Sequence, residues 1–142
     1  MITKLVYDSV VLKASIVNRD EKEKGERMKL NFGHTFGHAI EKISGLPHGE
    51  AVSIGMVFAS ALSAKKGYLP TEDKKRILKL LQTLNLSTRL QFDGAKVLDA
   101  LKKDKKRERD QIHFVLLQRI GHAVIEKLTF EELESVIHEI NS

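Results

Sequence analysis

Apolar positions recur at three- and four-residue steps over the opening of the chain, at Val6, Val10, Val11, Ala14 and Val17. This spacing predicts an amphipathic helix over roughly the first 18 residues, ending near Asn18. Asp20 to Arg27 (DEKEKGER) interrupts the pattern, and seven ionisable residues around Gly25 are too polar to bury without a ligand or partners. The helical pattern resumes from Leu30 to Ser44, with Phe36, Ile40 and Ile43 on one side, and Gly45 and Pro47 end it. The next helix is expected from about His48 to Lys66. It is rich in small residues, among them Gly49, Ala51, Ser53, Gly55, Ala59 and Ser60, which let another helix or a ligand approach its backbone closely.

Gly67 closes that helix, and Thr71 with Lys74 to Leu84 starts another. Ile77, Leu78, Leu80, Leu81 and Leu84 form its expected core stripe. Phe92 to Lys103 reads as one more helix. Ile112 to Leu117 and His122 to Ile125 are β-prone and flank Gln118 to Gly121, which predicts a hairpin. Thr129 with Glu132 fits a capping box for a final helix through about Ile140. The predicted fold is mainly α, a helical bundle with a small β-hairpin, and residues 1–142 read as a single domain. No run of strands builds a doubly wound sheet, and no glycine-rich loop follows a strand, so an NAD-binding domain is expected to be absent from this stretch.

Composition narrows the chemistry. A chain of 142 residues that is 42% hydrophobic has enough apolar surface for one packed core. The net charge of +5 is the remainder of 24 basic and 19 acidic residues, and only Lys102 to Arg109 is dense in cations. Without tryptophan, and without aromatics interleaved in that run, it argues against nucleic acid as a partner. No apolar run reaches the roughly 18 to 20 residues needed to span a bilayer, and no secretory signal opens the chain. The expectation is therefore a cytoplasmic protein without a membrane partner. Cysteine is absent, so any metal must be held by histidine and carboxylate.

Leu30 to Glu41 reads LNFGHTFGHAIE and places His34 and His38 four residues apart, on one helical face and about 6 Å apart at Cβ. His48 follows a Gly-Leu-Pro turn that could fold it back toward the pair. A lone pair at this spacing reads more readily as two structural histidines. The third imidazole, with Gly33 and Gly37 where a helix disfavours glycine, shifts the reading to a metal or ligand pocket, since a catalytic zinc takes three protein ligands and keeps a position open. His113, His122 and His138 are scattered and read as structural or surface residues.

Four linked strings, Asp20 to Arg27, Leu30 to Glu41, His48-Gly-Glu-Ala-Val-Ser-Ile-Gly-Met56 and Asp104-Lys-Lys106, resemble the 3-dehydroquinate synthase family in order and spacing. The resemblance runs from about Lys13 to the carboxy terminus and implies the carboxy-terminal, metal- and substrate-binding helical domain of such an enzyme. Members convert the sugar acid phosphate DAHP to 3-dehydroquinate and phosphate in the shikimate pathway, with NAD and a divalent cation, zinc or cobalt. The resemblance implies metal ligation by His34 and His48, with a third ligand, a glutamate, from a helix preceding Met1. It implies proton transfer at His38 and Glu23, and substrate contacts from Lys13, Arg27, Asn31, Lys105 and Lys106. Arginine and lysine suit a carboxylated, phosphorylated substrate. Glu50 matches the family's His-Gly-Glu string and not its ligand position, so its expected role is structural or in support of a ligand-bearing residue. The partners implied are DAHP, an amino-terminal NAD domain and further copies in a homo-oligomer, and the chain alone is expected to be inactive. Two other readings remain, another sugar phosphate cyclase and a non-catalytic helical binding module.

Overall fold

The computed structural model describes residues 1–19, 25–104 and 107–141. Helix α1, Ile2–Arg19, forms as the apolar spacing predicts. Only Ile16 of α1 is buried, while Ile2, Leu5, Val6, Tyr7, Val10, Val11 and Leu12 are all at least half exposed. The helix packs on a short 3-10 helix, Glu26–Asn31.

The helix expected from Leu30 starts later. The 3-10 helix stops at Asn31, Gly33 turns left-handed at φ +82°, and helix α2 spans His34–Ser44. The break lies where the backbone meets the next helix: a Cβ on Gly33 would sit 2.7 Å from Met56 Cγ and 2.9 Å from the Val52 carbonyl. Gly45 ends α2 at φ +69°, donating its N–H to the Glu41 carbonyl. Helix α3 follows at once, His48–Lys65. The close approach that its small residues predict is made by α2. A Cβ on Gly37 would lie 3.1 Å from the Ala51 carbonyl, and one on Gly55 only 1.9 Å from the Gly33 carbonyl.

The core gathers on the other side of this crossing. Phe36 and Phe58 stack at 3.8 Å, Phe92 and Phe114 flank them, and Ile40, Leu62, Val97, Leu101, Ile112, Leu116, Leu128 and Leu133 are among the residues buried around them. Helix α4, Thr71–Thr83, is peripheral. Its expected stripe is too wide: Leu81 is buried and Ile77 and Leu78 half-buried, but Leu80 and Leu84 are 59% and 58% exposed. The reason is geometric, since Leu80 and Leu84 share a line about 60° around the helix from that of Ile77 and Leu81, on the side away from Leu78, and α4 meets α3 along one edge. Helix α5, Gly94–Lys102, starts two residues later than predicted because Asp93 caps it, accepting from the Ala95 and Lys96 N–H groups at 3.0 and 3.3 Å.

The expected hairpin is present, longer than predicted, with a short third strand. Strands β1, Arg107–Glu108, β2, Gln111–Arg119, and β3, His122–Thr129, form an antiparallel sheet in that order, with Ile112 opposite Leu128. Helix α6, Phe130–Asn141, starts at the predicted capping box: the Thr129 N–H donates to Glu132 Oε2 at 2.8 Å, and the Glu132 N–H returns to Thr129 Oγ1 at 3.2 Å. The carboxy end of α3 is tied to this unit. Lys66 Nζ lies 3.1 Å from Glu132 and 3.3 Å from Glu126, and the Tyr68 hydroxyl donates to Glu126. Burial opposes charge on Lys66, yet hydrogen bonds to Glu132 and Glu126 outweigh it and hold its pKa above the ordinary lysine value. No described helix is long and apolar enough to cross a membrane.

Candidate functional site

The α2–α3 crossing sets the site. His34 opens α2, His38 stands one turn on, and their rings meet edge-on at 5.7 Å between centroids. His48 is the first residue of α3, and its ring lies 5.5 Å from His34 and 6.0 Å from His38. The turn between the helices is held internally. Ser44 Oγ donates to the Ile40 carbonyl at 2.6 Å and accepts the Leu46 N–H at 3.2 Å, while Leu46 packs on the core. The three imidazoles thus converge as their spacing predicts.

Two of the rings are further defined by their partners. His34 Nδ1 lies 3.3 Å from the Phe32 carbonyl oxygen, and His48 Nδ1 lies 3.0 Å from Glu41 Oε2. Carbonyl and ionised carboxylate oxygens only accept, so each Nδ1 carries the hydrogen and a neutral ring keeps its lone pair on Nε2. Histidines that ligate metals are held in this way, with the second ring nitrogen donating to a carbonyl or carboxylate. Two imidazoles on a tetrahedral zinc place their centroids about 5 Å apart, given Zn–N of roughly 2.0–2.1 Å. The 5.5 Å between His34 and His48 is close to that requirement. Donor chemistry and spacing therefore fit two ligand positions of a zinc or cobalt ion. Among the described residues no group of three or more His, Cys, Asp or Glu is arranged to hold a metal, so these residues do not complete a ligand set.

The other predicted residues are distributed unevenly. Arg27 and Asn31 lie half-buried in the 3-10 helix that leads into His34, each engaged in further contacts. At three residues per turn, these two positions, four apart, are offset by about a third of a turn. Lys13 is exposed on α1 and makes no hydrogen bond or ion pair among the described residues. It is a cation within the apolar stripe, one turn before Val17 and two turns after Val6. His38 is exposed and engaged in contacts of its own. Glu23, Lys105 and Lys106 lie outside the described residues; Asp104, which begins the Asp104-Lys-Lys106 string, is half-buried just past α5.

Glu50 is engaged with the segment after α4. Its Oε2 accepts the Ser87 N–H at 2.7 Å, tying the segment after α4 to the start of α3, and the Ser87 hydrogen bonds hold its carboxyl below the ordinary range. His113 is half-buried in β2, and His122 and His138 are exposed, consistent with structural or surface positions. The residue that sequence reasoning missed is Glu41. It is joined to His48 across seven positions and a turn, a contact that no helical spacing announces.

The family model described as 3-dehydroquinate synthase C-terminal matches residues 1–107. A 3-dehydroquinate synthase of Halalkalibacterium halodurans is 46% identical over 143 residues, covering 96% of this chain and 38% of the relative. Those of Rhodopseudomonas palustris strain TIE-1 and Methylacidiphilum infernorum are 44% and 43% identical, with 84% and 96% of this chain covered. The chain spans only 35–40% of the length of these three relatives. Among solved structures, a 2-deoxy-scyllo-inosose synthase complexed with carbaglucose-6-phosphate, NAD+ and Co2+ superposes with a TM-score of 0.79 at 26% identity, covering 89% of this chain and 39% of that one. A 2-epi-5-epi-valiolone synthase from Streptomyces hygroscopicus subsp. jinggangensis, with NAD+ and Zn2+ bound, gives 0.72 at 26% identity, with 89% and 36% covered.

Proposed function

The chain belongs to the 3-dehydroquinate synthase C-terminal family, and on that premise we propose that it is the metal- and substrate-binding portion of a cytoplasmic 3-dehydroquinate synthase, acting on DAHP in the shikimate pathway. The observation that carries the reading is the meeting of three imidazoles at 5.5 to 6.0 Å, two of them with Nδ1 on an acceptor and Nε2 left for a ligand. His34 and His48 would hold zinc or cobalt, with a third donor from outside the described residues. When bound, the cation supplies polarisation of substrate oxygens and NAD supplies the hydride acceptor and donor.

The chain's own residues bind, orient and move protons. Arg27 offers a planar fork to a carboxylate or phosphate, and Asn31 offers both donor and acceptor to a hydroxyl. Lys13, Lys105 and Lys106 add cations for the phosphate. His38 serves proton transfer, since imidazole titrates near neutrality, and Glu23 serves as a proton acceptor. Holding a flexible sugar acid in one orientation accounts for much of the rate when later steps are intramolecular.

Turnover further requires an NAD-binding portion, because the matched region is 38% of the Halalkalibacterium relative and no nucleotide-binding sheet occurs among the described residues. Assays with DAHP, NAD and Zn2+ are expected to yield 3-dehydroquinate and phosphate only when that portion is present. Robust turnover by residues 1–142 alone would refute this division of labour. A second reading, another sugar phosphate cyclase, draws on the two cyclase structures at 26% identity. The 43–46% identity to dehydroquinate synthases, and a pair, Arg27 and Asn31, suited to a carboxylated, hydroxylated substrate, favour the first, and product identification separates the two. The alternative of a non-catalytic binding module requires silence toward both metal and substrate. The exposed apolar face of α1 would be covered by the NAD-binding portion, or by further copies of the chain in a homo-oligomer.

A further inference from the structure

We propose that Glu41 is a positioning residue for His48, fixing the ring so that Nε2 is the nitrogen presented to a divalent cation; this rests on the metal reading of the site. Glu41 lies in the last turn of α2, where the partial negative charge of the helix end disfavours a carboxylate. Helix stability gives no reason for an acid here, and among the described residues no lysine or arginine is paired with it. Its partner is His48 Nδ1 at 3.0 Å, across a turn that leaves little freedom. Gly45 is left-handed, Ser44 bridges Ile40 and Leu46, Leu46 packs on the core, and Pro47 precedes His48 directly. The backbones that carry both groups are thus set before any ligand arrives, and the carboxylate selects the tautomer. The Phe32 carbonyl does the same for His34, but it is main chain, so Glu41 is the one of the two orienting groups that a substitution can remove.

The test reads the ring before it reads the metal. Long-range 15N–1H spectra of the metal-free protein at a pH where His48 is neutral report which nitrogen carries the hydrogen. The wild type is expected to show Nδ1–H at His48. Glu41→Ala is expected to lose that signature, and Glu41→Gln, whose amide oxygen still accepts, to keep it. Titration with Co2+ is then expected to weaken roughly 10- to 100-fold in Glu41→Ala, the usual cost of losing such a partner, and less in Glu41→Gln. An unchanged His48 tautomer in Glu41→Ala overturns the proposal, as does Co2+ affinity within twofold of wild type despite a changed tautomer. If wild type and both variants ignore Co2+, with the NAD-binding portion present as well as absent, positioning toward a metal is overturned together with the site reading. Loss of Co2+ binding in His34→Ala but not in wild type shows that the site reading survives, so failure of Glu41 alone is distinguishable.

Discussion

Substituting Gly55 by alanine is expected to force α2 and α3 apart. The added Cβ would lie 1.9 Å from the Gly33 carbonyl oxygen, 2.8 Å from its carbon and 2.9 Å from the Gly37 nitrogen. All three are main-chain atoms, so no side chain can swing aside. Reaching the near edge of ordinary contact requires roughly 1.5 Å of displacement between two helices packed at interior density. Overpacking of this kind costs about 1–3 kcal/mol even where side chains yield, and here the upper end or more is expected, on the order of 10 °C in melting temperature. Gly49 is the internal control on the same helix, because a Cβ there meets nothing within 4 Å. Gly49→Ala should be neutral or stabilising by up to about 1 kcal/mol, the ordinary helical preference for alanine. Urea unfolding of the two variants beside wild type measures the contrast. Gly55→Ala within 1 kcal/mol of wild type would refute the backbone-contact argument, and with it the explanation of why small residues line this helix.

Three further outcomes follow from the same structure. Ser63 is fully buried, donating to the Ala59 carbonyl at 2.6 Å and accepting the Leu117 N–H at 3.0 Å, so Ser63→Ala should cost about 1–3 kcal/mol by stranding that N–H, measured by denaturant unfolding. The Thr129 N–H, followed by Lys66, holds the Glu132 pKa below its ordinary value, so this carboxylate adds stability above the unfolded carboxylate pKa and loses it as pH falls through the lower folded value; Glu132→Gln should lower stability at neutral pH and flatten the acid limb of a melting-temperature profile. The apolar face of α1 should drive association, so light scattering on residues 1–142 is expected to show species above monomer that Val6→Asp with Val10→Asp disperses, and a clean monomer at high concentration would contradict this.

Much of the fold was legible because local rules governed it. The α1 stripe, the small residues of α3, the Thr129–Glu132 box and the hairpin each follow from spacing or from a defined hydrogen-bond partner. Departures arose where tertiary contact overrode the period. Leu30 and Asn31 belong to a 3-10 helix because Gly33 must turn left-handed against Met56, and Leu80 and Leu84 stay exposed because α4 meets the body along one edge. At the site, His34, His38 and His48 were legible from four-residue spacing and a turn. Glu41 was not, since its partner lies across that turn and only coordinates pair them. Glu23, Lys105 and Lys106 came from family resemblance and lie outside the described residues.

The central claim is that His34 and His48 form a cation site through Nε2, with His38 beside them and outside the ligand set. Cobalt titration monitored by histidine side-chain NMR, on wild type and on His34→Ala, His48→Ala and His38→Ala, tests it most directly. The account predicts paramagnetic broadening centred on both rings, loss of binding on removing either His34 or His48, and binding retained without His38. Cobalt that leaves the His34 and His48 resonances unchanged, with the NAD-binding portion present as well as absent, would contradict it.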